Sequence, residues 1–312
     1  MKRRIVLLLS LALSSLALPA RDLELLLVQG APGTEEYATL FARQAVAWQE
    51  AAAKAGATFT RLGHEGDAED LPALEAALQK AAASETGQFW LVFLGHGTFD
   101  GREAKFNLRG PDLTPGWLAE RLQPLKRELV LIHTGSASGA FLKPLAGPKR
   151  TIVTATKGGD EVFYCRFGEH FAPAIAGLAE ADLDQDQQVS VLEAFLHASR
   201  RAAEFYQNED RLATEHALIE DNGDGTGTRA EVFEGTRPAA APAGSAPDGA
   251  RAGQIVLVLS EDEARLTDAQ RTRRDELERR LETLKAARAA KGEDVFFAEL
   301  ETLLRELAEM YR

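Results

Sequence analysis

The stretch Gln88–Gly101, QFWLVFLGHGTFDG, decides how the rest of the chain is read. Its first part, Phe89-Trp90-Leu91-Val92-Phe93-Leu94, is an unbroken apolar run that stops abruptly at Gly95-His96-Gly97. A continuous apolar run of strand length predicts a strand buried on both faces of a sheet. The imidazole then falls just past the carboxyl end of that strand, where open α/β sheets hold their ligands. The flanking glycines allow a sharp turn and leave the ring uncrowded. A second run, Glu128–His133, passes into Thr134-Gly135-Ser136-Ala137-Ser138-Gly139, so a second buried strand also ends in a reactive type of side chain.

Working outward, Asp22–Gln29 reads as the first strand, and Thr34 caps a helix running to about Ala55 with Phe41, Ala45 and Trp48 on one face. A short strand Thr58–Arg61 and a helix opening at Asp70-Leu71-Pro72 precede the His96 strand. Residues 102–113 form a small excursion, Thr114-Pro115 opens another helix, and Arg150–Lys157 is a strand rich in β-branched residues. Strands alternating with helices in this way predict an α/β fold: a doubly wound, mainly parallel sheet with helices on both faces.

Beyond it, helices are expected at Phe167–Ile175 and Val191–Tyr206, with the stretch Val191–Leu218 largely helical. Residues 236–253 are rich in Pro, Ala and Gly and read as a flexible linker. Gln254–Leu259 is a last strand candidate. The tail to Arg312 carries two capping-box starts, at Ser260 and Thr267, and two leucine stripes. One holds Leu277, Leu281 and Leu284, and the other Leu300, Leu303, Leu304, Leu307 and Tyr311, which predicts a C-terminal antiparallel helical hairpin. Such narrow stripes suit coiled-coil packing against the hairpin itself, the core or a second copy. The expected organisation is a signal peptide at 1–20, an α/β domain at 21–235, a linker at 236–253, and a strand with the hairpin at 254–312.

The N-terminus, MKRRIVLLLSLALSSLALPA, has the basic start, apolar middle and small-residue end of a secretory signal, and is short for a membrane span. An exported protein, periplasmic or extracellular, with no membrane attachment after signal removal, is therefore expected. Removing residues 1–20 leaves 33 basic against 48 acidic residues, a formal charge of −15. No basic patch is offered to phosphates, which argues against a nucleic-acid partner. Cys165 is the single cysteine, so no internal disulfide is possible.

The most specific local signal is Asp182-Leu-Asp184-Gln-Asp186-Gln-Gln188-Val-Ser190-Val-Leu-Glu193. Oxygen-bearing side chains stand at loop positions 1, 3, 5, 9 and 12, and Gln188 offers its carbonyl at position 7. Calcium takes six to eight hard oxygen ligands, and this spacing wraps one chain around one ion. The segment resembles an EF-hand loop at every ligand position. It departs at Gln187, where the usual glycine makes the sharp turn, so strain at a positive φ should weaken binding without removing a ligand. A second candidate runs from Glu220 through Asn222, Asp224 and Thr226 to Glu231, with Gly225 at the turn. Glu at its first position is unusual, and an ordinary Asx/Gly turn is the competing reading.

The order strand–Gly-His-Gly, then strand–Ser136-x-Ser138-Gly139, resembles the caspase/legumain type of cysteine peptidase, over roughly residues 22–235. In that family His-Gly follows one central strand and a Cys follows the next, commonly within Asp-x-Cys-x-Ser-Gly. Phe167-Gly168-Glu169-x-Phe171 also matches bacterial members. The resemblance implies a caspase-like sheet, His96 as general base, and Ser136 at the nucleophile position with Thr134 where the acidic residue belongs. The defining thiol is thus replaced. A serine hydroxyl ionises far less readily than a thiol and needs a better-aligned base. A hydrolase elbow, G-x-S-x-G, fails because Ala137 is central in Gly135–Gly139.

The leading expectation is an exported, calcium-binding pseudo-peptidase that holds a peptide or protein partner in the old cleft. Two alternatives stay open: a hydrolase using Ser136 with His96, and a calcium-binding interaction module without a working cleft. Self-association through the hairpin is compatible with each.

Overall fold

The computed structural model describes residues 21–64, 66, 69–239 and 247–311. The signal-peptide reading of 1–20 and the central part of the linker, 240–246, lie outside them.

The first half alternates as expected: β1 (Leu23–Gln29), α1 (Glu35–Ala55), β2 (Thr58–Leu62), α2 (Asp70–Ala82) and β3 (Gln88–Leu94). Thr34 Oγ1 accepts from the Tyr37 N–H, and Gly56 ends α1 in the left-handed region at φ 67°. The excursion after His96 folds as a hairpin of β4 (Gly97–Phe99) and β5 (Ala104–Phe106). Then follow α3 (Pro115–Leu122), β6 (Glu128–His133), α4 (Gly139–Leu145), β7 (Arg150–Thr154), α5 (Phe167–Ile175) and α6 (Val191–Asn208).

The central sheet has the order β2-β1-β3-β6-β7 with every pair parallel. It is extended antiparallel by β8 (Leu218–Glu220) and β9 (Thr228–Arg229). β3 lies in the middle, and Phe89 to Leu94 are all buried. Successive side chains of β3 serve different layers. Trp90, Val92 and Leu94 pack with α1, α5 and α6, whereas Phe89, Leu91 and Phe93 pack with α2, α3 and α4. A strand with helices on both faces cannot alternate polar with apolar, which is why its sequence reads as one run. Each fully buried side chain of this size contributes about 1.5–3 kcal/mol by leaving water.

Small strands β10 (Phe233–Glu234) and β11 (Arg237–Pro238) precede the C-terminal helices α7 (Glu261–Arg265), α8 (Asp268–Ala286) and α9 (Glu293–Met310). α8 and α9 form the expected hairpin around Leu277, Leu284, Phe296 and Leu303. The Thr267–Gln270 capping box is complete, but Ser260 receives only the Glu263 N–H. Among the described residues no helix is long and apolar enough to cross a membrane.

Three local expectations are corrected. Gln254–Leu259 is not a strand: only Val256 makes a bridge, to Ser190, because its neighbours bond instead to the start of α6 and to Arg21. The described end of the linker is packed rather than free, since Asp248 and Ala252 are buried. Leu304 and Tyr311 are each 48 % exposed, off the stripe that α8 covers.

Candidate functional site

β3 and β6 are adjacent and parallel, so their carboxyl ends bring His96 and Ser136 to one edge of the sheet. The turn between them is tight: a Cβ on Gly97 would stand 2.1 Å from the Ser136 carbonyl oxygen, so no other residue fits there. His96 is half-buried among aromatic rings, with Tyr37 edge-on at 4.3 Å, Phe41 at 5.1 Å and Tyr164 at 6.1 Å. Burial lowers its pKa from the ordinary value, and a hydrogen bond to the Pro32 backbone opposes that shift. At neutral pH the imidazole is therefore uncharged and fit to accept a proton.

Ser136 is not set up to give one. It is 2 % exposed, its Oγ accepts the Gly97 N–H at 3.0 Å, and its hydroxyl donates to the Gly97 carbonyl at 3.2 Å. No hydrogen bond joins it to His96 among the described residues. A nucleophile and its base need such contact, directly or on substrate binding. Here both the hydroxyl and the nearest backbone donor are occupied by each other.

The loop after β7 backs this turn. Ala137, at φ 55°, donates its N–H to the Glu161 carbonyl, and the Glu161 carboxylate accepts from Lys157 N, His216 N and His216 Nδ1. Ser138 and Thr156 share a 3.1 Å hydroxyl contact. This Glu161–His216 pair was not legible in the sequence, because its partners are far apart along the chain. Phe99 at the end of β4 and Val162 and Phe163 in the loop after β7 are exposed apolar side chains, and the Phe99 ring lies beside Gly159 of that loop.

The other reactive groups are structural. His133 is fully buried among Phe93, Phe106 and Phe141, and burial pushes it down to about 3. Thr134 donates its hydroxyl to the Phe93 carbonyl. Burial, with the charges of Glu215 and Glu161, raises the Cys165 thiol well above its usual range, so it stays protonated and unreactive.

The loop from Asp182 to Glu193 connects a 3₁₀ turn at Ala179–Ala181 to α6. One oxygen each of Asp182, Asp184 and Glu193 lie within 4.8 Å of one another. Asp182 Oδ2 accepts the Gln187 N–H at 3.0 Å, and Asp182 Oδ1 is buried with no partner. Asp184 and Asp186 each accept the N–H two residues on, from Asp186 and Gln188. Glu193 is buried, taking the N–H groups of Leu183 and Asp184 on one oxygen and the N–H and hydroxyl of Ser190 on the other. Burial, then the charges of Asp186 and Glu193, raise the Asp184 carboxyl to about 6.

Three details depart from the expected ligand pattern. The Ser190 hydroxyl is committed to the Glu193 carboxylate in a capping box at the start of α6. The Gln188 side-chain amide donates to Asp186 Oδ2 at 3.0 Å while its oxygen accepts the Ser260 N–H, so both Asp186 oxygens are engaged by Gln188. Gln187 adopts φ 68° and Gln185 φ 64°, so the strain expected at the missing glycine is present at two positions.

In the second loop, Glu220 Oε1 accepts from Gly223 N and Gly225 N, Asn222 from Asp224 N, and Asp224 from Thr226 N. Glu231 does not join them. It lies in a 3₁₀ turn, its side chain 68 % exposed and paired with Arg229, because no helix starts there to turn position 12 inward.

No protein-family model matches the chain, and no curated protein is similar to it. Solved structures resemble it at low identity. A protein of Geobacter sulfurreducens is 14 % identical, over 64 % of this chain and 92 % of that one, with a TM-score of 0.41. Caspase-1 of Spodoptera frugiperda is 10 % identical over 64 % and 86 %, with a TM-score of 0.42. The Drosophila initiator caspase Dronc is 11 % identical over 65 % and 80 %, with a TM-score of 0.43.

Proposed function

We propose that the chain is an exported, calcium-binding, caspase-like domain that binds a peptide or protein partner at the β3–β6 edge without cleaving it. The observation that carries this reading is the closed exchange between Ser136 and Gly97. A hydroxyl held on both sides by backbone cannot also be polarised by His96, and a buried serine lacks the ready ionisation of a thiol. The exposed side chains of Phe99, Val162 and Phe163 beside a half-buried imidazole give a partner apolar surface to cover. Calcium binding is supported by the gathered Asp182, Asp184 and Glu193 and by the unpartnered Asp182 Oδ1. The same domain is open to self-association through α9, which exposes Phe297 and Leu304 two turns apart.

One observation favours a second reading, hydrolysis by Ser136 with His96. Ala137 holds a left-handed backbone directly after Ser136, and such outliers gather at functional turns. The test is the intact mass of the folded mature protein after a serine-reactive phosphonate in calcium, beside Ser136→Ala. No adduct on either protein is expected. One adduct on the wild type, lost in Ser136→Ala, would establish the hydrolase and sink the non-cleaving reading.

A further inference from the structure

Glu220 ends β8 opposite Ile152, at the amino end of the parallel strands and so on the far side of the sheet from His96. It is 0 % exposed. Its Oε1 accepts the N–H groups of Gly223 at 2.6 Å and Gly225 at 3.3 Å, which folds the carboxylate into its own loop. Its Oε2 is buried there with no partner. A buried carboxylate oxygen without a donor or cation is costly, so native proteins nearly always supply one.

Among the described residues no ion pair supplies it. The strongest charges that act on Glu220 are those of Asp224 and Asp221, and the strongest on buried Asp248 are those of Asp221 and Glu220. Asp221 is already spent on the N–H groups of Gly249, Arg251 and Ala252, and Asp248 on Thr228 Oγ1 and Asp221 N. What remains is a cluster of acidic groups whose outer member, Asp224, is exposed and gives an ion a way in.

The disposition of the first carboxylate repeats that at Asp182. In both loops one oxygen of position 1 accepts the N–H of position 6, from Gln187 or Gly225, and the other oxygen is buried and unpartnered. We infer that the loop 220–226 is a second divalent-cation site, built from the Glu220, Asn222 and Asp224 side chains and the Thr226 carbonyl, and completed by water rather than by Glu231. Hard oxygen donors and the mixed carboxylate–amide set favour calcium, and the missing bidentate twelfth ligand places its affinity with weak extracellular sites, with a Kd on the order of 10⁻⁴–10⁻³ M. The ion also bears on packing. The same loop holds Asp248, Gly249, Arg251 and Ala252, the start of the strap that runs on through the Val256 bridge to α7.

The test is calcium stoichiometry of the full mature chain by titration calorimetry, with circular dichroism confirming the fold of each variant. Wild type should take two ions, Glu220→Gln and Asp224→Asn one each, and Glu231→Gln two. Asp224→Asn is exposed and serves if Glu220→Gln fails to fold. One ion in wild type that survives Glu220→Gln and Asp224→Asn overturns the inference, as does no ion at all. Loss of an ion in Glu231→Gln overturns the ligand set. One ion in wild type that vanishes in Glu220→Gln upholds this site and sinks the calcium reading of Asp182–Glu193 instead.

Discussion

The carboxyl end of the sheet and the two acidic loops hold polar groups of similar reactivity in opposite states. At the sheet edge, the protein has answered its own groups. Ser136 is bonded twice to Gly97, Thr134 to Phe93, and the Cys165 thiol is protonated in apolar surroundings. In the loops, Asp182 Oδ1 and Glu220 Oε2 are buried and unanswered. Because an unpaired buried oxygen costs more than a bonded one gains, the first pattern fits groups kept for structure and the second fits the cation ligands proposed above. The carboxyl end of the sheet is thus the quieter end of this molecule.

The largest effect expected from this contrast is on calcium-dependent stability. An ion at one hundred times its Kd stabilises the fold by about 2.7 kcal/mol, seen as a rise of several degrees in melting temperature. Asp184→Ala should abolish most of that rise, and Glu193→Ala should in addition lower the melting temperature without calcium, because it strips partners from Leu183, Asp184 and Ser190. Identical melting of the wild type in calcium and in chelator would break the comparison at its root.

His133 is one of several exceptions, and it sharpens the contrast. Its Nε2 is also buried and unpartnered, yet three aromatic rings surround it and leave no polar second donor for a ligand. Its folded pKa, about 3, lies below the ordinary value of 6.5, so unfolding lets it take a proton. Its contribution is therefore intact above pH 6.5 and lost as pH falls from there toward 3, about 2 kcal/mol by pH 5. His133→Phe should flatten that part of the stability–pH curve in denaturant melts. An unchanged curve would mean that the ring is reached by water or by a partner group.

Much of this was legible. The apolar run before His96 pointed to the central strand because burial on both faces removes alternation, and the spacing from Asp182 to Glu193 pointed to the gathering of Asp182, Asp184 and Glu193 because the start of α6 places position 12. What escaped was long-range. The strap from Asp248 reads as linker because Pro, Ala and Gly dominate its composition, while its anchors, Asp221 and Thr228, lie more than a dozen residues away. Gln254–Leu259 has the composition of a strand but finds helix and arginine partners rather than a sheet edge. Glu231 keeps the right spacing but lacks the helix that would turn it inward.

A smaller effect is expected from Ser136→Ala. If the hydroxyl serves only Gly97, its loss leaves one buried N–H short and costs about 1–3 kcal/mol in a denaturant melt, with partner affinity unchanged. A fall in partner affinity without loss of stability would place Ser136 in the binding surface and blur the line between the two regions.

The smallest effect separates the two loops from each other. Both turn at position 6, but Gly225 does so at φ 75° as glycine, while Gln187 does so at φ 68° with a side chain. A left-handed backbone costs a non-glycine residue about 1–2 kcal/mol, and the extra freedom of glycine in the unfolded chain returns roughly half to all of one. Gln187→Gly should therefore change the calcium-free melting temperature little, since the two terms nearly cancel. It should tighten calcium binding only if the ion draws the Asp182 oxygens further into the turn, because strain then differs between the free and bound loops. A gain of a few-fold in affinity with no gain in calcium-free stability would show that the missing glycine limits this site. Equal gains in both would show that the strain is there in either state and that the loop is as fully formed before the ion as after it.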